Sequence, residues 1–202
     1  MADFATPEGT KNYADRMWAE NPHISPDSWR MLEGLTVSKV GVGTYRMDGR
    51  EMQPQALEKA LISGLNLIDT SANYMDGGAE IFIGQTLKKL FEQQKLKREE
   101  VVLVSKAGYM QGQTLQAWQK TPPPEAVVCS EAMWHCIHPD FLHSEFENTQ
   151  KRLGRTGVDV FLLHNPEYYL IQAVEAATPL GRAQAEFYRR VQKAFEFLET
   201  LC

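Results

Sequence analysis

Four side chains in this sequence could carry out proton chemistry together: Asp69, Tyr74, Lys106 and His164. Asp69 directly follows Leu67 and Ile68 in "NLIDTSANY" (66–74), and Tyr74 closes the same stretch. Lys106 ends "VVLVSK" (101–106) and His164 ends "VDVFLLH" (158–164). The acid, the lysine and the histidine each terminate an apolar run, a repetition that chance explains poorly. A tyrosine hydroxyl, with a reference pKa of about 10, is a poor acid at neutral pH. A nearby ammonium stabilises the phenolate, and a carboxylate keeps that ammonium charged and aimed. A histidine can hydrogen-bond a carbonyl oxygen and orient it. Together these groups make a proton donor for an oxygen that gains charge, as a ketone oxygen does during hydride addition.

The elements that must position them can be read along the chain. Residues 1–28 are polar and irregular and form an N-terminal arm; residues 29–202 form the body. "WRMLEGLTVS" reads as a hairpin turning at Glu33-Gly34. "KVGVG" (39–43) is a first short strand. Pro54 opens a helix with Leu57, Ala60 and Leu61 on one face, closed by Gly64. "NLID" is the second strand, and the helix after it carries Ile83, Leu87, Leu90 and Phe91. "VVLVSK" is the third strand, followed by a long loop over 107–138. A helix then runs from Pro139 to a stop at Gly154, with Phe141, Leu142, Phe146 and Leu153 as its apolar residues. "VDVFLLH" is the fourth strand. A last helix from about Ala183 is expected to bury Phe187, Val191, Ala194, Phe195 and Leu198.

Four strand–helix units in alternation predict an α/β fold with a parallel sheet and right-handed crossovers. Strands two to four are apolar nearly throughout, as strands covered on both faces should be. Alternation alone leaves an open sheet and a closed barrel as equal alternatives. In either, the carboxyl ends of the strands lie on one face, where chemistry sits.

Bulk properties narrow the function classes. The hydrophobic and charged fractions of the 202 residues, 43% and 23%, are those of a globular chain. A net charge of -5 gives no electrostatic case for binding nucleic acid or an anionic membrane. No run of about 18 apolar residues is present, so no membrane-spanning helix is expected. The early acids of "MADFATPEGTKNYADR" do not fit a secretory signal. Three cysteines, Cys129, Cys136 and Cys202, fit a reducing compartment, so a cytoplasmic location is expected.

"GVGTY" (41–45), "NLIDTSANY", "VSKAGY" (104–109) and "VDVFLLHNPE" (158–167), in that order and spacing, resemble the strand-end motifs of the aldo-keto reductases. The resemblance covers roughly residues 30–202. It implies a parallel (β/α) barrel of TIM type and a nicotinamide cofactor, usually NADPH. It implies Tyr74 as general acid, Lys106 and Asp69 as its tuning pair, and His164 as the residue that orients a small-molecule carbonyl substrate. Gly43, Thr44 and Tyr45 would approach the nicotinamide, and Asp69 would contact its ribose. A barrel of this type needs about 250 residues. This chain is therefore expected to be truncated after about four β/α units, without the half that supplies most contacts to the cofactor's phosphates and adenine. The alternative is a catalytically inactive half-barrel fragment or a regulatory or binding protein.

Two further segments have structural readings. "CSEAMWHCIHPDFLH" gathers Cys129, His135, Cys136, His138 and His143, but its spacing matches no structural zinc pattern and no metal site is expected. The charges of "KKLFEQQKLKREE" read as a solvated helix face. A half-barrel would leave open strand edges and inward side chains without their facing layer, among Val40, Val42, Leu67, Val102, Val104, Phe161 and Leu163. Pairing with a second copy, a partner, or aggregation is thus expected. Size-exclusion chromatography with light scattering should find a homodimer or larger species; a monodisperse single chain with a cooperative thermal transition would contradict this.

Overall fold

The computed structural model describes residues 3–21 and 23–201. In chain order the elements are α1 (Pro7–Glu20), β1 (Trp29–Leu32), β2 (Leu35–Ser38), β3 (Val42–Gly43), α2 (Gln53–Leu61), β4 (Leu67–Asp69), α3 (Gly78–Glu92), β5 (Val102–Ala107), β6 (Tyr109–Met110), α4 (Gly112–Trp118), β7 (Val127–Ser130), β8 (Met133–His135), α5 (Pro139–Leu153), β9 (Val160–Leu163), α6 (Tyr168–Glu175) and α7 (Leu180–Leu198). The chain forms two compact units. One holds residues 1–105 and 149–160, the other residues 106–148 and 161–202.

In the first unit β3, β4 and β5 run parallel. Val42 and Gly43 face Ile68 and Asp69, and Leu67, Ile68 and Asp69 face Val102, Leu103 and Val104. The two-residue β3 is shorter than the five-residue strand expected. The hairpin of β1 and β2 forms as read, with Glu33 and Gly34 both at positive φ, 45° and 83°. That pair matches the right-handed twist of the strands it joins. Helices α2 and α3 bury the expected Leu57, Leu61, Ile83, Leu87 and Leu90.

The arm is not irregular: half of it is α1. Thr6 caps the helix by accepting from the Gly9 N–H at 2.9 Å, with Pro7 in the first turn. Tyr13, Ala14 and Met17 form its buried stripe. These few apolar positions lie among so many polar ones that the helical period is faint in the sequence. The Tyr13 hydroxyl donates to the Leu61 carbonyl at 2.6 Å and accepts from the Gly64 N–H at 3.1 Å. Arg16 grips Glu100 through both carboxylate oxygens, at 2.8 and 3.0 Å. Met1, Ala2 and Pro22 of the arm, and Cys202, lie outside the described residues.

Two buried polar side chains hold the entrances of the strands. Asn66 accepts from the Ser38 N–H and donates to the carbonyls of Thr36 and Glu100, while its own carbonyl receives the Val102 N–H. Every polar atom of this fully buried amide is thereby satisfied. Asp159 takes both backbone groups of Leu103. Its carboxylate accepts the Leu103 N–H at 2.7 Å, and its own N–H donates to the Leu103 carbonyl at 2.9 Å. The same carboxylate pairs with Arg98 at 2.9 Å and accepts the Ala5 N–H at 2.6 Å.

In the second unit, the stretch expected as a loop is an antiparallel sheet in the order β6-β8-β7, together with α4. Its strands of two to four residues are too short to show alternation in sequence; mutual pairing satisfies their backbone instead. Met110, Leu115, Cys136 and Phe141 form a core here, with Trp118 and Trp134 against it. A second core joins Ala107, Ile137, Leu142, Ala194 and Leu198, flanked by Phe161, Leu163, Val191 and Phe197. Helix α6 is an addition to the sequence reading. On α7 Phe195 is not buried but 50% exposed. The helix turns its stripe through Ala194 and Leu198, and Phe195 lies a hundred degrees round from Ala194.

Removing one member of a buried ion pair strands the other. Arg98 and Asp159 have side chains only 4% exposed, so Asp159→Asn should lower the unfolding free energy by about 3–5 kcal/mol. Lys11→Ala, which breaks an exposed pair with Asp15, should cost less than about 1 kcal/mol. Denaturant melts of both variants check this; equal effects would contradict it.

Candidate active site

In the first unit, Ser105 donates its hydroxyl to Glu80 of α3 at 2.7 Å, which turns that face of β5 toward the helices. Leu103, two residues back, shares that face, and so does its neighbour Ile68, which is fully buried. Alternation sends Asp69, Val104 and Gly43 to the opposite face, side by side across three strands. Asp69 is the last residue of β4, as the sequence indicates, and is half-buried.

The residues after β3 close over that strand end. Thr44 donates its N–H and its hydroxyl to the Asp69 carbonyl, at 3.1 and 3.0 Å. Its side chain is fully buried and committed to that carbonyl. A Cβ at Gly43 would meet nothing within 4 Å, so bare backbone faces open space beside Asp69. Tyr45 is 62% exposed and sets its ring at 5.2 Å from that of Tyr74, edge to face at 78°. The Arg46 guanidinium lies 5.6 Å above the Tyr45 ring. Tyr74 opens a 3-10 turn, Tyr74–Gly77, in which Met75 and Asp76 both adopt left-handed φ, 52° and 56°. Such residues each cost about 1–3 kcal/mol and persist where surroundings over-determine them. The strained turn lies immediately beyond the tyrosine.

In the second unit, Lys106 is the penultimate residue of β5 and half-buried, and His164 follows the last residue of β9. The His164 N–H donates to the Ala107 carbonyl at 2.8 Å. Ala107, Phe161 and Leu163 all pack into the core formed with α5 and α7. Lys106 and His164 alternate with them and therefore face the other way.

Around His164 stand residues that the sequence reading did not single out for chemistry. Tyr109 sets its ring 4.6 Å from the His164 ring, nearly perpendicular. His135 brings Nε2 to 2.7 Å from the His164 carbonyl. Tyr168 stacks on His135 at 5.1 Å, and its hydroxyl lies 3.3 Å from that of Tyr109. Burial and the Tyr168 hydroxyl push the Tyr109 phenol above its usual range. Burial pushes the His135 imidazole below its ordinary value. His135 and Tyr109 pair across the strands β6 and β8, whose shortness hid the pairing.

The Cys/His-rich segment disperses. His138 Nε2 lies 2.6 Å from Lys193 Nζ, and the His143 ring packs on Phe197 at 5.9 Å. Cys136 accepts the His138 N–H, and burial pushes its thiol up to about 12. Among the described residues, no group of three or more His, Cys, Asp or Glu side chains is placed to hold a metal. No helix of the described residues is long and apolar enough to cross a membrane.

Parallel strands alternating with helices define the α/β class, and the family whose model matches places them in a (β/α) barrel of TIM type. The aldo/keto reductase family model matches residues 39–201, and the chain belongs to that family. Among curated relatives, an NADH-specific methylglyoxal reductase of Escherichia coli is 27% identical over 139 residues, 64% of this chain and 39% of the relative. Aldose reductase C of Dictyostelium discoideum is 27% identical over 161 residues, 80% of this chain and 40% of the relative. The chain thus spans about two-fifths of the length of these relatives. An aldo-keto reductase of Bacillus halodurans in its holo form superposes with a TM-score of 0.52 at 22% identity, over 73% of this chain and 47% of that one. This likeness shows the fold. The family is one of oxidoreductases that use a nicotinamide cofactor.

The depressed imidazole of His135 has a consequence for pH. A histidine held neutral by folding adds stability above its unfolded value of 6.5, and that contribution is lost as pH falls through the lower folded value. The thermal midpoint should therefore drop on acidification from about pH 7.5 to 5.5. His135→Gln should flatten part of that slope. Identical slopes for the two proteins would contradict it.

Proposed function

We propose that this chain carries the catalytic residues of an NADPH-dependent reductase of small aldehydes or ketones. Tyr74 gives its hydroxyl proton to the carbonyl oxygen. Lys106 stabilises the charge left on Tyr74, Asp69 keeps that ammonium charged and aimed, and His164 hydrogen-bonds the same oxygen and orients the carbonyl. The nicotinamide, when bound, supplies hydride to the carbonyl carbon. Gly43, Thr44 and Tyr45 would receive its ring, and Asp69 its ribose.

The observation that carries this reading is the shared face of Gly43, Asp69 and Val104, with Tyr74 held beside it by Tyr45. Open space above Gly43 and the exposed Tyr45 ring fit a flat ligand lying against backbone. The name of the Escherichia coli relative supports a small dicarbonyl as substrate class and shows that NADH serves as reductant in a relative. Preference for NADPH is part of the proposal. So is association of the 202-residue chain with a second copy, through exposed apolar residues such as Val40, ahead of β3, and Leu162 of β9, 67% and 41% exposed.

The test is NADPH consumption with methylglyoxal as the probe carbonyl. Tyr74→Phe should lower turnover by about 10²–10⁴-fold, the range for loss of a positioned acid. Full turnover with an unchanged pH profile would remove Tyr74 from the mechanism. A folded wild-type chain without any turnover would instead favour the reading as a binding or regulatory protein.

A further inference from the structure

We infer that His135 is a positioning residue for His164, and that Gly108 is the site that admits it. The inference rests on the reading of His164 as the residue that orients the carbonyl.

His164 lies just past the end of β9, and the next residue, Asn165, turns the chain at a left-handed φ of 51°. A peptide there lies where the regular strand ends. Among the bonds that hold it are two made by its own backbone. Its N–H donates to the Ala107 carbonyl at 2.8 Å, and its carbonyl receives His135 Nε2 at 2.7 Å. The second bond comes from outside the parallel strands, through β8 of the small antiparallel sheet.

His135 is built to make that bond and no other movement. It is only 2% exposed. The Tyr168 ring stacks on it at 5.1 Å, and the Tyr109 ring meets its edge at 5.6 Å. The Tyr109 hydroxyl is itself tied to Asn165 Oδ1 at 3.1 Å. Because a carbonyl oxygen only accepts, Nε2 must carry the proton and act as the donor. Burial favours the neutral imidazole that such a tautomer requires.

Gly108 supplies an independent observation. A Cβ on Gly108 would lie 2.5 Å from the His164 carbonyl oxygen and 2.6 Å from His135 Nε2. The bond between these two atoms therefore exists only because position 108 has no side chain. The Gly108 carbonyl meanwhile accepts the Cys136 N–H at 2.8 Å, fixing β8 at the right height. The imidazole of His164 is in turn aimed by Tyr109, 4.6 Å away and nearly perpendicular. The backbone is set by His135 and the ring by Tyr109, and both come from the same sheet.

Ring ¹H–¹³C spectra of the 202-residue chain read this without any need for turnover, since the chain has five histidines. The wild-type protein should show a nuclear Overhauser contact between the His164 and Tyr109 rings. His135→Leu should lose that contact and move the His164 ring signal by more than its linewidth. His135→Gln, whose amide can donate from a similar place, should keep both. Gly108→Ala, which leaves His135 present but crowds it, should behave like His135→Leu, and serves where the latter fails to fold. In kinetics, His135→Leu should lower kcat by about tenfold with the KM for NADPH within about twofold of wild type, and His135→Gln should recover most of the loss. A folded His135→Leu or Gly108→Ala protein with the His164–Tyr109 contact intact would overturn the inference. So would an unchanged kcat in His135→Leu where His164→Ala is impaired. If His164→Ala itself turns over normally, the role of His164 falls, while the spectra still decide whether His135 positions it.

Discussion

The register of three parallel strands is the constraint on which the rest of the structure depends. Side chains alternate along a strand, so a slip of one residue between β4 and β5 would turn Asp69 toward α3 and Ile68 away from it. A carboxylate would then enter an apolar layer, and the exit face would lose its acid. At the exits the Thr70 N–H, which donates to the Val104 carbonyl at 2.9 Å, continues the register. At the entrances a slip is opposed by the buried side chains of Asn66 and Asp159. Asn66 links β2, the Glu100 turn and the start of β5. Asp159 binds both backbone groups of Leu103 and so ties β5 to the approach of β9.

This division of labour has a physical basis. Buried polar groups with every partner supplied specify one arrangement and penalise others, because a misaligned alternative leaves them unsatisfied. They lie at the entrances, where α1 and the hairpin cover them and no ligand need pass. The exits are left with half-buried, chemically versatile groups and with backbone open at Gly43. Left-handed backbone occurs there too, at Met75 and Asp76 beside Tyr74 and at Asn165 beside His164.

The sequence made the alternation of strands and helices legible, because continuous apolar runs and Pro and Gly punctuation mark buried strands and helix limits directly. Asp69, Lys106 and His164 stood out for the same reason: a polar residue closing an apolar run is a local signal. The helix α1 was hidden, since Tyr13, Ala14 and Met17 are its main apolar contacts and its docking relies on Arg16 and the Tyr13 hydroxyl. The sheet of β6, β7 and β8 was hidden because pairing of very short strands is a long-range property. Residue 109 meets residue 135 only after folding. His135 was visible as a residue type, yet its partner is a backbone carbonyl far along the chain, which no spacing rule reveals. Phe195 shows the converse: helical spacing marks a wide stripe, and packing chooses which part of it to cover.

The claim that the strand exits form the cofactor face can be tested most directly by titrating NADPH into the ¹⁵N-labelled chain and following backbone amides. The account predicts that Gly43, Thr44, Tyr45 and Asp69 shift together and saturably. Shifts confined to the strand entrances, around Asn66, Leu103 and Asp159, would contradict it.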